Sequence, residues 1–187
     1  CTPVYNPFFS VVSDVAQLRL VDVPLLVDDG VYRLDLEGMA EAFAREDVSV
    51  FVMSHPHNPT GTVFTRQTLE AVHALADAHG VLVVSDEIHA PLSLPGRDHV
   101  PYLSVVPADA HAVALVSASK AWNLAGLKCG QMVGTDRTAV VEVNQDLQAV
   151  ADDGVALATP DVGDEADAAG VVLVARVVKP LFHREIH

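Results

Sequence analysis

The sequence predicts an α/β fold. Three observations carry that reading: apolar runs of strand length at about 48–54, 81–86 and 112–117, helical apolar spacing between them, and an abrupt change to polar residues where each run stops. Strands alternating with helices are the signature of right-handed crossover units that build a parallel sheet. In such sheets ligands bind just past the C-terminal strand ends, so the polar residues there are the first candidates for function.

The elements follow in order. Arg19 to Val27 is a β-rich run, and Pro24 demotes it to an edge or irregular strand because it lacks a donor for the ladder. Asp35 caps a helix that buries Leu36, Met39, Ala40 and Phe43 and ends near Glu46. Thr65 caps a second helix, with Leu69, Val72, Leu75 and Ala76 on one face and Gly80 at its end. Gln131 to Gly134 is a short further strand, and Val140, Val143, Leu147 and Val150 have helical spacing.

Composition narrows the class. The chain has 187 residues, 50% hydrophobic and 19% charged, which suits one soluble domain. A net charge of −14 argues against a nucleic-acid or anionic-membrane surface. No apolar run reaches transmembrane length and no secretory signal opens the chain, so a cytoplasmic setting is expected. Cys1 and Cys129 make no disulfide framework. Nine histidines invite a metal, with His55-Pro-His57 the closest pair. Without a paired-cysteine or His-Glu-x-x-His pattern no metal site is expected.

Three polar motifs follow the apolar runs. Ser54-His-Pro-His-Asn-Pro-Thr-Gly61 reads as a rigid turn after a buried strand. Ser85-Asp-Glu-Ile-His89 sets two carboxylates at the end of the next one, and Asp86 is placed to keep a pyridine nitrogen protonated. Ser117-Ala-Ser-Lys120 follows the third. A lysine at the end of a buried strand is expensive unless its amine is neutralised, paired or covalently used. One such use is a Schiff base to pyridoxal phosphate, and the plain alternative is a lysine that snorkels to water. Asp86-Glu87 also reads as a pair of capping carboxylates, Asn58-Pro-Thr-Gly61 as turn chemistry, and Tyr5 as packing under Phe8 and Phe9.

Asn-Pro-Thr-Gly, Ser-Asp-Glu-Ile-His and Ser-x-Ser-Lys-x-x-Asn-x-x-Gly-x-x-x-Gly, in that order, resemble fold-type I pyridoxal-phosphate enzymes. The Asp-Glu-Ile-His wording is similar to the cystathionine β-lyase-like branch of the class I/II aminotransferases, whereas transaminases usually carry tyrosine at position 89. Thr2-Pro-Val-Tyr-Asn-Pro-Phe-Phe9 is a fourth match. The resemblance implies a three-layer α/β/α, mostly parallel sheet. It makes Lys120 the Schiff-base lysine, Asp86 the partner of the pyridine nitrogen, and Asn58 the ligand of the ring oxygen with His89 close by. Tyr5 would stack on the ring, and Trp122 would pack near the lysine. Ser117 and Lys128, with Ser119 as a weaker third, would hold the phosphate. Lysine at 128 departs from the usual arginine and loses its bidentate fork.

The resemblance covers residues 1–135, read as a partial pyridoxal-phosphate-binding large domain. Residues 136–187 read as a divergent tail: Ala149 to Val178 holds eight alanines, eight valines and five aspartates. A fragment, or a reading frame lost near residue 140, is expected. The strands at 48–54, 81–86, 112–117 and 131–134 should then pair contiguously, the last antiparallel, while 19–27 lacks its normal neighbour. The activity implied is carbon–sulfur β-elimination from cystathionine or a related cysteine conjugate, giving thiol, pyruvate and ammonia, in a homodimer acting on an amino-acid substrate. An aminotransferase is the alternative enzyme. A catalytically dead remnant that serves as a binding module is the alternative of another class.

Overall fold

The structure, a computed structural model, describes residues 1–127 and 129–134 together with the backbone of two strands at 156–158 and 172–176. A short helix, α1 (Pro7–Ser10), continues into a wider turn over Val11–Val15. Next comes a hairpin of β1 (Leu26–Asp28) and β2 (Val31–Arg33), paired antiparallel. Its turn is Asp29-Gly30, with φ of 52° and 77°. Asp-Gly tolerates two left-handed residues in succession, the geometry that matches strand twist in a two-residue loop. The β-rich run at 19–27 is therefore mostly not a strand: only its last two residues pair, and they pair forward to β2.

Helix α2 (Leu36–Phe43) starts where Asp35 accepts a 3.0 Å hydrogen bond from the Gly38 N–H. It ends three residues before Glu46 because the Arg45 N–H turns to the Ala42 carbonyl at 3.2 Å, tightening the last turn. Helix α3 (Arg66–His79) follows β3 (Val50–Ser54) and keeps both expected ends. Thr65 accepts from the Thr68 N–H at 3.2 Å, and Gly80 stops the helix at φ 65°. Such an N-cap is worth about 1 kcal/mol.

The main sheet has six strands in the order β3, β4 (Leu82–Asp86), β5 (Ala112–Val116), β6 (Cys129–Gly134), β8 (Val172–Arg176) and β7 (Ala156–Ala158). β3, β4 and β5 pair in parallel, and β6 is antiparallel to β5, as expected. β8 is antiparallel to β6 and β7 to β8, so two stretches of residues 136–187 extend the sheet. The helical spacing at 136–150 lies outside the described residues. β3 forms the other edge. Between it and residues 18–23 lies an apolar cleft of about 180 Å³, bounded by Phe9, Leu20, Val21, Phe43, Val50 and Phe51. Residues 19–27 thus lack a partner in the main sheet.

The core gathers Met39 and Phe43 of α2, Leu69, Val72 and Ala76 of α3, Phe51 and Met53 of β3, and Val81 and Val83 before and in β4. Each such side chain contributes about 1.5–3 kcal/mol by leaving water. Register then aligns the strand ends: Ser54 lies beside Asp86, and Asp86 beside Leu115. The ladder runs one bond further on each side, His55 N–H to the Asp86 carbonyl and Glu87 N–H to the Leu115 carbonyl, both 2.8 Å. The polar motifs are tied to the sheet edge by these bonds.

Candidate active site

Asn58 sits on a turn built by its own neighbours. Ser54 Oγ donates to the Pro56 carbonyl and accepts from the Asn58 N–H, both at 3.2 Å. His57 N–H donates to the Thr62 carbonyl at 2.8 Å, and Gly61 N–H to the His57 carbonyl at 2.7 Å. Gly61, at φ 70°, takes the left-handed position that closes this loop. Tyr5 N–H donates to the Asn58 carbonyl at 3.0 Å, which brings the Thr2–Phe9 segment to the same place. With its backbone engaged, the Asn58 side-chain amide makes no hydrogen bond to the described residues and is available to a ligand. Tyr5 is half-exposed with its ring edge-on to Phe8, centroids 6.5 Å apart, so it packs locally and also presents a face.

Asp86 ends β4. One carboxylate oxygen accepts from the Ile88 N–H at 3.1 Å, and the other has no hydrogen-bond partner among the described residues. Burial pushes its carboxyl above the usual value, against the opposing pull of the Ile88 bond, His89 and Lys120. A carboxylate in that state gains from a cation on its open oxygen. Burial also lowers the His89 imidazole, whose Nδ1 is buried without a partner. Asn58 and His89 line one cavity, so the turn after β3 and the turn after β4 face a common space.

Ser117 Oγ and Ser119 Oγ are 2.7 Å apart, and the Ser119 N–H donates to Ser117 Oγ at 3.1 Å. This forms a hydroxyl pair at the end of β5. Lys120 is exposed, so the expense of burying it, on which its selection from the sequence partly rested, does not arise here. Its charge is nonetheless felt at both Asp86 and His89, which places the three groups in one electrostatic neighbourhood. Trp122 is 61% exposed. Lys128 lies outside the described residues.

Beneath these groups is a network that the sequence did not disclose. Glu87 is 4% exposed. It accepts from Ser85 Oγ at 3.0 Å, from the Tyr102 N–H at 2.8 Å and from His99 Nε2 at 2.9 Å. The His99 ring lies 4.4 Å from that of His55, which stacks on Phe64. His55 Nε2 donates to the Val100 carbonyl at 3.0 Å, and burial, reinforced by His99, lowers its imidazole to about 4. Burial lowers His57 to about 4 as well, and its Nδ1 bonds Thr60 Oγ1. The His55-Pro-His57 pair is thus split between different partners, and no group of three metal-ligating side chains forms among the described residues. The one local hint of the network was the second carboxylate after a buried strand. His99 and Tyr102 lie 12 and 15 residues away from it, beyond any local pattern.

Residues 1–169 match the family described as aminotransferase class I and II, well past the residue 135 at which the motifs give out. A Mycobacterium tuberculosis protein named for cystathionine beta-lyase is 46% identical over 134 residues, covering 68% of this chain and 32% of that protein. Cystathionine beta-lyase PatB of Bacillus subtilis is 35% identical, with 78% and 38% covered. Among solved structures, the PLP-bound C-S lyase of Staphylococcus hominis superposes with a TM-score of 0.72 at 28% identity, covering 77% of this chain and 37% of that one. The chain therefore spans about a third of the length of the curated relatives it matches.

Proposed function

The chain belongs to the aminotransferase class I and II family, and we propose that it carries the cofactor-holding part of a pyridoxal-phosphate-dependent carbon–sulfur β-lyase. The observation that carries this reading is the Asp86 carboxylate: half-buried, raised by that burial, open on one oxygen among the described residues and sharing its field with Lys120. Those residues fit pyridoxal phosphate. Asp86 would take the ring nitrogen on its open oxygen, the Asn58 amide would reach the ring oxygen with His89 beside it, and Lys120 Nζ would hold the aldehyde carbon. The Ser117–Ser119 hydroxyl pair would serve the phosphate, with Lys128 as the cation expected beside it. Tyr5 would cover the ring. When bound, the cofactor supplies an electron sink for a carbanion at the substrate Cα.

The work left to the chain is positional and protolytic. Asp86, kept ionised by the cation it faces, holds the ring nitrogen protonated. The exposed Lys120 amine is free to move, so it can take the proton from the substrate Cα once displaced. A thiolate then leaves Cβ, and water and a proton complete pyruvate and ammonia. The substrate is a cysteine conjugate such as cystathionine, the setting cytoplasmic and the assembly a homodimer. The names of the relatives support the lyase. The family's description supports aminotransfer as a second reading, in which the substrate's amino group would pass to a keto acid. Thiol and pyruvate release from L-cystathionine, measured against keto-acid-dependent amino transfer, separates the two. Brisk transfer without thiol would overturn the lyase reading.

A further inference from the structure

A cavity of about 340 Å³ opens beside Asn58 and His89, and the rest of its lining is mostly apolar, with His57, Ser93 and Arg97 as its other polar residues. Pro59 and Val63 form one side; Leu92 and Leu94, 51% and 73% exposed, form the other. Arg97 completes the lining. Its backbone is fixed by the turn Leu94-Pro-Gly-Arg97, in which the Arg97 N–H donates to the Leu94 carbonyl at 3.0 Å. Gly96 supplies a φ of 80° there. Proline followed by a left-handed glycine is the pairing that a type II turn requires.

Among the described residues the guanidinium itself is unclaimed. Of the five arginines in the described stretch, Arg19, Arg33, Arg45 and Arg66 each face a carboxylate. Arg97 forms no ion pair or side-chain hydrogen bond among the described residues, although the chain holds 25 acidic residues. A planar cation in the lining of a mostly apolar cavity matches a ligand with an apolar arm and a terminal carboxylate. We propose that Arg97 and this cavity form a subsite for the distal carboxylate of the substrate, selecting cysteine conjugates whose S-linked arm ends in an acid. The assignment rests on the lyase reading only for the identity of the amino-acid head. The subsite's own chemistry is carboxylate on guanidinium past an aliphatic arm.

The test is calorimetric and needs no turnover. S-(2-carboxyethyl)-L-cysteine and S-propyl-L-cysteine are titrated into the full chain, with and without pyridoxal phosphate, for wild type, Arg97→Gln and Arg97→Lys. The acid should bind about tenfold tighter than the propyl ligand, equivalent to about 1.4 kcal/mol. Arg97→Gln should erase that preference and leave the propyl ligand unchanged. Arg97→Lys should restore part of it, and raised salt should shrink it. Equal affinities in wild type, or equal loss of both ligands in Arg97→Gln, would overturn the subsite. Weakened uptake of pyridoxal phosphate with the ligand preference intact would instead assign Arg97 to the cofactor's phosphate, which also overturns it. A preserved preference with no thiol release from either ligand leaves the subsite standing and removes the lyase.

Discussion

The two sides of the candidate site are built differently. On the β4 side, buried Glu87, Tyr102 and His55 and the half-buried His99 are joined by hydrogen bonds and ring contacts, and Asp86 stands directly on that base. On the β5 side, Lys120 and Trp122 are exposed, and among the described residues the segment carries the Ser117–Ser119 pair and two turn bonds. The role proposed for Asp86, a carboxylate held still on a ring nitrogen, falls on the rigid side. The role proposed for Lys120, to reach, release and move a proton, falls on the open side. Stability and chemistry should therefore separate by residue.

The largest effect belongs to the rigid side. Glu87→Ala leaves the Tyr102 N–H, Ser85 Oγ and His99 without their acceptor and should cost about 3–5 kcal/mol in urea unfolding. A loss near zero would mean the network does not hold the site.

The His55 cluster makes the same side pH-sensitive. The folded imidazole is lowered from 6.5 to about 4, so the folded protein binds that proton less readily than the unfolded chain. The stability His55 confers is complete above pH 6.5 and is lost as pH falls from there toward about 4. The loss amounts to about 3 kcal/mol at most. Urea midpoints at several pH values should fall across that window, and His55→Gln should flatten the fall, although His57 keeps a share of it.

Asp86 should behave in the opposite sense. Its folded carboxyl is raised by burial, so ionising it opposes folding as pH rises above its ordinary value of 3.8. Asp86→Asn should make the cofactor-free chain more stable at neutral pH, and that advantage should vanish in acid. Cofactor added to the wild type should reverse the order, because the ring nitrogen supplies the missing cation. The smallest effect falls on the open side: Lys120→Ala should stay within about 0.5 kcal/mol of wild type in unfolding, as an exposed side chain with few contacts does.

This contrast also marks what the sequence could tell. Strands 3, 4 and 5 and helix α3 were legible because their signals are local: an apolar run, Thr65 at the start, Gly80 at the end. Asn58, Asp86 and Ser117 were legible because each lies within four residues of a strand end. The run at 19–27 misled because β-branched composition favours a strand only when a partner is present, and Asp29-Gly30 gave that partner to residues 26–28 alone. Glu87 looked like a second cap because two of the donors to its carboxylate arrive from residues 99 and 102. Lys120 was chosen on a burial argument that its exposure removes; what remains is its place beside Asp86 and the order of the motifs around it.

Covalent mapping tests that remaining claim most directly. Incubating the chain with pyridoxal phosphate, reducing with borohydride and sequencing the labelled peptide should place the adduct on Lys120 of the chain's three lysines. The label should vanish in Lys120→Ala while the fold is retained. Label on Lys128 or Lys179, or undiminished label in Lys120→Ala, would contradict the account.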